Sequence, residues 1–175
     1  MTAPCGHKGF MSKSSKASEK RSKKIVSEVL NMPKYKDFTS DRYYETNSLY
    51  NTTLSVTEKT KKPTLSEPDF GLIKYKGKPV AIGDNKWQDS HKNVVERCNL
   101  YIADAMKMGI DLKNVLLIFD GPAFVPNEDG NYRGSSGKQI VRSRHYNTAL
   151  INPTSEEIRI EFQNILDRII EKENQ

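Results

Sequence analysis

Pro68-Asp69-Phe70-Gly71-Leu72-Ile73-Lys74-Tyr75, followed by Lys76-Gly77-Lys78-Pro79 and Val80-Ala81-Ile82-Gly83-Asp84-Asn85-Lys86, is the stretch on which the fold turns. Residues 69–75 and 80–84 are rich in aromatic and branched apolar side chains, and a lysine-glycine-lysine-proline punctuation separates them. Two such runs around a tight turn predict an antiparallel hairpin. Asp69 then lies near the entry of one strand and Asp84 near the end of the other, so the hairpin brings both acids to the same side of a sheet. Gly83, just before Asp84, leaves room for a close backbone or phosphate approach.

Beyond the hairpin, Val94, Val95, Cys98, Tyr101, Ile102 and Ala105 recur at three- and four-residue spacing. They predict a helix capped by Asp89 or Ser90 and ended at Gly109. Val115–Phe119 is an uninterrupted apolar run, the pattern of a central strand buried on both faces. Strand, helix and strand at this spacing imply a crossover in which the new strand joins in parallel.

Toward the N-terminus, Ile25, Val26, Val29, Leu30 and Met32 carry helical spacing that stops before Pro33. Residues 35–68 give no element boundaries, and 121–152 read as loop, basic in the second half. A last amphipathic helix is expected from Thr154 or Ser155, with Glu156 and Glu157 in its first turn and Ile158, Phe162, Ile165, Leu166, Ile169 and Ile170 on its apolar face. The fold class is therefore α/β, a mixed central sheet flanked by helices.

At 175 residues the chain makes one ordinary domain. Its mean hydropathy is −0.72. No apolar run nears the roughly 18 residues that span a bilayer, and no signal-peptide pattern opens the chain. The expectation is a cytoplasmic protein with no membrane partner. Cys5 and Cys98 are the only cysteines, which argues against a disulfide framework and against a zinc site. The net charge of +6 is confined to residues 1–24, where seven basic side chains face Glu19 alone. Serine-rich and poor in apolar residues, 1–24 reads as a flexible basic arm. It suits either phosphate attraction or plain solubility. Residues 25–175 form the single folded domain.

Hydrolysis of a phosphodiester needs a water in line with the leaving oxygen and positive charge against the phosphoryl oxygens. Mg²⁺ suits this and takes few carboxylates. Asp69 and Asp84 are the candidate pair, with the backbone carbonyl of Asn85 as a third oxygen. Lys86, two residues past Asp84, points to the same strand face and can act on the attacking water or the developing oxyanion. The same residues also fit two exposed strand-end acids and a solvated lysine. Asn93, Glu96 and Arg97 fall on one helix face, and these types match base edges in the major groove; a solvated face is the plain alternative. His91 and Lys92 can reach phosphate or water, while Trp87 fits packing beneath the helix.

Pro68-Asp69, Asp84-Asn85-Lys86, Asn93-Val94-Val95-Glu96-Arg97 and Val115–Gly121 together resemble the EcoRI and MunI group of type II restriction endonucleases. The likeness covers roughly residues 63–125. It implies a restriction-endonuclease-like core in which Asp69, Asp84 and Lys86 are catalytic and Asp69, Asp84 and Asn85 hold Mg²⁺. By the same likeness Asn93, Glu96 and Arg97 read an inner AATT, with His91 and Lys92 also on the DNA. The implied enzyme is a homodimer cutting double-stranded DNA at a palindrome to leave 5′-phosphates, with a companion DNA methyltransferase in the same system. Asp84 stands where that group has glutamate, and Val94 where it has alanine. A junction-resolving or repair nuclease, or a non-catalytic DNA-binding protein, would retain parts of the same pattern.

Overall fold

The computed structural model describes residues 14–46, 65–88, 95–130 and 148–175, with the backbone alone at 95–97. In chain order the elements are α1 (Ser15–Leu30), β1 (Phe38–Asp41), β2 (Tyr44–Glu45), β3 (Leu65–Ser66), β4 (Gly71–Tyr75), β5 (Lys78–Trp87), α2 (Val95–Lys107), β6 (Val115–Asp120), β7 (Thr148–Ile151) and α3 (Ser155–Glu173). Five strands form one sheet in the order β1-β4-β5-β6-β7. β1 and β4 pair antiparallel, as do β4 and β5. β6 joins β5 in parallel, and β7 joins β6 in parallel. The protein is thus a mixed α/β fold with helices on both faces of its sheet.

The antiparallel hairpin forms, but its turn is shorter than expected, because Lys78 and Pro79 already belong to β5 and pair with Tyr75 and Lys74. Lys76 and Gly77 both have positive φ, 49° and 82°, which suits a two-residue turn whose twist matches the strands it joins. β5 continues beyond the expected end at Asp84, because residues 82–87 pair with 115–120 of β6. β4 begins later than expected, at Gly71. Asp69 lies instead in the preceding turn, closed by the Gly71 N–H to the Pro68 carbonyl at 2.9 Å.

Strand alternation divides the core in two. Leu116 and Ile118 of β6 face Ile25, Val26 and Val29 of α1 and Ile158, Phe162, Ile165 and Leu166 of α3. Val115, Leu117 and Phe119 face Cys98 and Ala105 of α2 on the opposite side. All six residues of β6 are buried, as a strand covered on both faces requires. The expected helix stops hold too. α1 ends at Leu30, Gly109 follows α2 with φ 69°, and Thr154 caps α3 by accepting from the Glu157 N–H.

Three sequence expectations need correction or extension. The basic arm does not span 1–24, because residues 15–24 are the first part of α1, with Ser18 and Ser22 fully buried. Serine is small enough to bring the helix close to the sheet there, so a polar composition does not mean a solvated segment. Residues 35–68 contribute the edge strand β1 and a small antiparallel ribbon of β2 and β3. Tyr44 Oη and Thr46 Oγ1 fasten that ribbon to the buried Asp104 carboxylate of α2, at 2.8 and 2.7 Å. Residues 121–152 include the edge strand β7. Among the described residues, no helix is long and apolar enough to cross a membrane.

Candidate active site

Residues 84–87 of β5 run past the last partner in β4, since that ladder ends at Gly71 opposite Gly83. In a strand a residue's N–H and C=O leave by the same edge, and alternate residues use opposite edges. The Gly83 carbonyl accepts the Phe70 N–H at 3.0 Å, so Asn85, two residues on, turns its peptide groups toward that same open edge. Its N–H donates to Asp69 Oδ2 at 3.1 Å. The Asp69 N–H in turn donates to Asp84 Oδ1 at 3.1 Å. Backbone and carboxylates thereby lock the turn and the strand end together.

Side-chain alternation then sorts the site. Asp84 and Lys86 share the α2 face of β5, where Lys86 Nζ forms an ion pair with Asp84 Oδ2. The same ammonium lies 5.7 Å from the centre of the Tyr101 ring. Asn85 points to the α1 face, where its side-chain Nδ2 donates to Ser18 Oγ. Asp84 is 2% exposed and Asn85 7%.

Asp84 is buried and Asp69 half-buried beside it, and the two acids repel. The Asp69 carboxyl is pushed up from 3.8 to about 7, first by burial and then by the charge of Asp84. The Asn85 N–H and the Lys86 ammonium pull the other way without compensating. Burial likewise raises the Cys98 thiol to about 12, so it is an inert core group.

One open cleft of about 480 Å³ holds Asp69, Asp84, Asn85 and Lys86 together, with Trp87, Gln88 and Tyr101 along it. Glu19 of α1 and Glu67 line the same cleft. Sequence reasoning missed Glu19, having placed it in a mobile arm. Its ion pair with Lys23, four residues on, was the available sign of a helix. Lys23 also lies 3.9 Å from Glu67. Beneath the cleft, the fully buried Asp120 carboxylate at the end of β6 accepts from Ser18 Oγ at 3.0 Å and from Arg21 at 2.8 Å.

One expectation is overturned here. A Cβ on Gly83 would sit 2.8 Å from Phe70 Cβ, so the space beside this glycine is filled by a core ring and not kept for a phosphate. Of the expected recognition residues, His91, Lys92 and Asn93 lie outside the described residues, as do the side chains of Glu96 and Arg97. The backbone of the latter two belongs to the first turn of α2. Trp87 is half-buried on the cleft.

Neither the scan of protein-family models nor the search of curated proteins gives a match for this chain.

No ready-made group of three or more His, Cys, Asp or Glu ligands occurs among the described residues. The donors that do converge are all hard oxygens, from Asp69, Asp84 and the Asn85 carbonyl. One or two carboxylates with remaining positions for water and phosphate is the set that Mg²⁺ favours. The Asp69 carboxyl is raised first by burial and then by the charge of Asp84, and a bound cation would offset the second of these. The residues present fit a divalent cation, and Lys86 stands beside them, ion-paired with Asp84.

Proposed function

We propose that this chain is a Mg²⁺-dependent endonuclease of double-stranded DNA, of the type II restriction class, working as a homodimer on a short palindrome that contains AATT. The observation that carries the reading is the joining of Asp69, Asp84, the Asn85 backbone and Lys86 at one open strand end, with the Asp69 carboxyl held near 7. A mixed sheet whose antiparallel hairpin feeds a parallel strand supports a restriction-endonuclease-like core.

Asp69, Asp84 and the Asn85 carbonyl would hold the cation, which when bound supplies positive charge for the phosphoryl oxygens and makes water a better nucleophile at neutral pH. Asp69 would first have to release its proton, which its raised carboxyl holds more tightly than an ordinary aspartate does, so near neutrality a cation competes with that proton. Lys86, ion-paired with Asp84, offers its remaining N–H groups to the attacking water and to the charge growing on phosphorus. Trp87 and Tyr101 line the cleft beside these groups. Asn93, Glu96 and Arg97 would read base edges and His91 and Lys92 the phosphates, since α2 is the next element in the chain after this strand end. A two-fold dimer would present the same contacts to both half-sites.

Digestion of a plasmid of known sequence with Mg²⁺, followed by sequencing of the cut ends, tests activity and specificity together. Discrete fragments ending in 5′-phosphate at one palindrome are expected. Cutting only at branched or damaged DNA would instead assign a structure-specific nuclease. Asp69→Ala should bind DNA in Ca²⁺ yet leave it uncut in Mg²⁺, and normal cutting by that variant would remove Asp69 from the mechanism.

A further inference from the structure

The cation donors are themselves held by a chain of hydrogen bonds that runs away from the cleft. Asn85 gives its backbone N–H to Asp69 Oδ2 and its side-chain Nδ2 to Ser18 Oγ. Ser18 has a single hydroxyl proton, and the Asp120 carboxylate receives it at 3.0 Å. The hydroxyl is therefore a donor toward Asp120 and an acceptor toward Asn85. Arg21, one turn along α1, donates to the same Asp120 oxygen at 2.8 Å and to the Pro153 carbonyl at 3.2 Å. The Asn85 amide oxygen is buried with no hydrogen-bond partner, so the Ser18 contact is what sets the orientation of this side chain.

Stability is a poor explanation for this arrangement. A buried ion pair such as Arg21–Asp120 gains little over apolar packing once desolvation is counted. Burial already pushes the Arg21 guanidinium below its ordinary value, against the pull of Asp120. What the arrangement does achieve is register. Ser18 and Glu19 are adjacent on α1, one turned into the buried network and the other into the cleft.

We infer that Ser18, backed by Asp120 and Arg21, is a positioning residue for the catalytic strand end. Through the Asn85 side chain it fixes the Asn85 peptide that clasps Asp69, and through the register of α1 it places Glu19 in the cleft. This inference rests on the nuclease reading for its purpose, but its physical core concerns the Asn85 peptide and can be measured without DNA.

The test compares Ser18→Ala with Ser22→Ala. Ser22 is equally buried on the same helix, and its hydroxyl has no hydrogen-bond partner, so Ser22→Ala reports what the loss of a buried hydroxyl does by itself. Hydrogen exchange of the Asn85 backbone amide, read by NMR in the metal-free protein, should speed up about tenfold or more in Ser18→Ala and stay near wild type in Ser22→Ala. The Mn²⁺ dissociation constant, measured by calorimetry, should rise about tenfold in Ser18→Ala only, as when a group that orients a ligand is lost. Asn85→Ala and the double variant with Ser18→Ala should weaken Mn²⁺ binding equally, because the serine acts through that side chain. Unchanged Asn85 exchange in Ser18→Ala, or equal effects from both serine variants, would overturn the inference. A wild-type protein that binds Mn²⁺ but cuts no DNA would refute the nuclease reading and leave the exchange comparison to decide this one.

Discussion

Asp69→Asn should make the metal-free protein more stable while disabling it. The replacement keeps the shape, and its amide oxygen can still accept the Asn85 N–H that Asp69 Oδ2 accepts at 3.1 Å. What it removes is a carboxyl raised from 3.8 to about 7 by burial and by Asp84. Between those two values the native chain binds more protons than the unfolded one, so stability falls as pH rises through the window. The penalty is complete above the folded value. That rise corresponds to at most about 4 kcal/mol, and partial exposure of the group brings the expectation to about 2 kcal/mol. Urea unfolding in EDTA reads it directly: Asp69→Asn should exceed wild type by about 2 kcal/mol near pH 8.5 and by about 1 kcal/mol near pH 5.5. A variant no more stable than wild type near pH 8.5, or a gain that does not change with pH, would refute the account of a half-buried Asp69 carboxyl raised by burial and by Asp84.

Other expectations follow from the same geometry. Lys86→Ala should lower the DNA cleavage rate at least about a hundredfold with little change in DNA affinity, read by single-turnover cutting and by binding in Ca²⁺. Because Asp69 must lose its proton to hold a cation, Mg²⁺ affinity should weaken up to about tenfold per pH unit as pH falls below about 7, measured by calorimetry. Gly83→Ala forces a methyl against Phe70, whose ring packs 5.6 Å from that of Phe162, and should destabilise by about 1–3 kcal/mol in urea. Asp104→Ala leaves Tyr44 Oη and Thr46 Oγ1 without their buried acceptor and should destabilise by about 2–4 kcal/mol, whereas Tyr44→Phe should lose only about 1.

The meeting of Asp69 and Asp84 was legible because they flank one hairpin, where strand period and turn chemistry alone bring sequence neighbours together. The crossover to Val115–Asp120 was legible for a similar reason, since an unbroken apolar run fits only a strand covered on both faces. The helix from residue 15 was not. Ser18 and Ser22 extend the stripe of Ile25, Val26 and Val29 by the same spacing, but serine carries no hydrophobic signal and the lysines around it suggested a solvated tail. Edge strands such as β1 and β7 are short and only partly covered, so their pattern is weak against loop composition. Glu19 and Arg21 were invisible as site residues because their meaning depends on partners far along the chain, and no local period encodes such a meeting.

That distance has a consequence for when the proposed site is assembled. Arg21 meets Asp120 across 99 positions and Pro153 across 132. A chain emerging from the ribosome completes the Asp69–Asp84 hairpin long before β6, β7 and the residues around Pro153 exist to seat α1 against it. Contacts of such long separation form late. A nascent or truncated polypeptide would therefore carry Asp69, Asp84 and Lys86 without the support that aligns them, and the DNA-cleaving activity proposed for this site would switch on only once β6, β7 and the residues around Pro153 are in place.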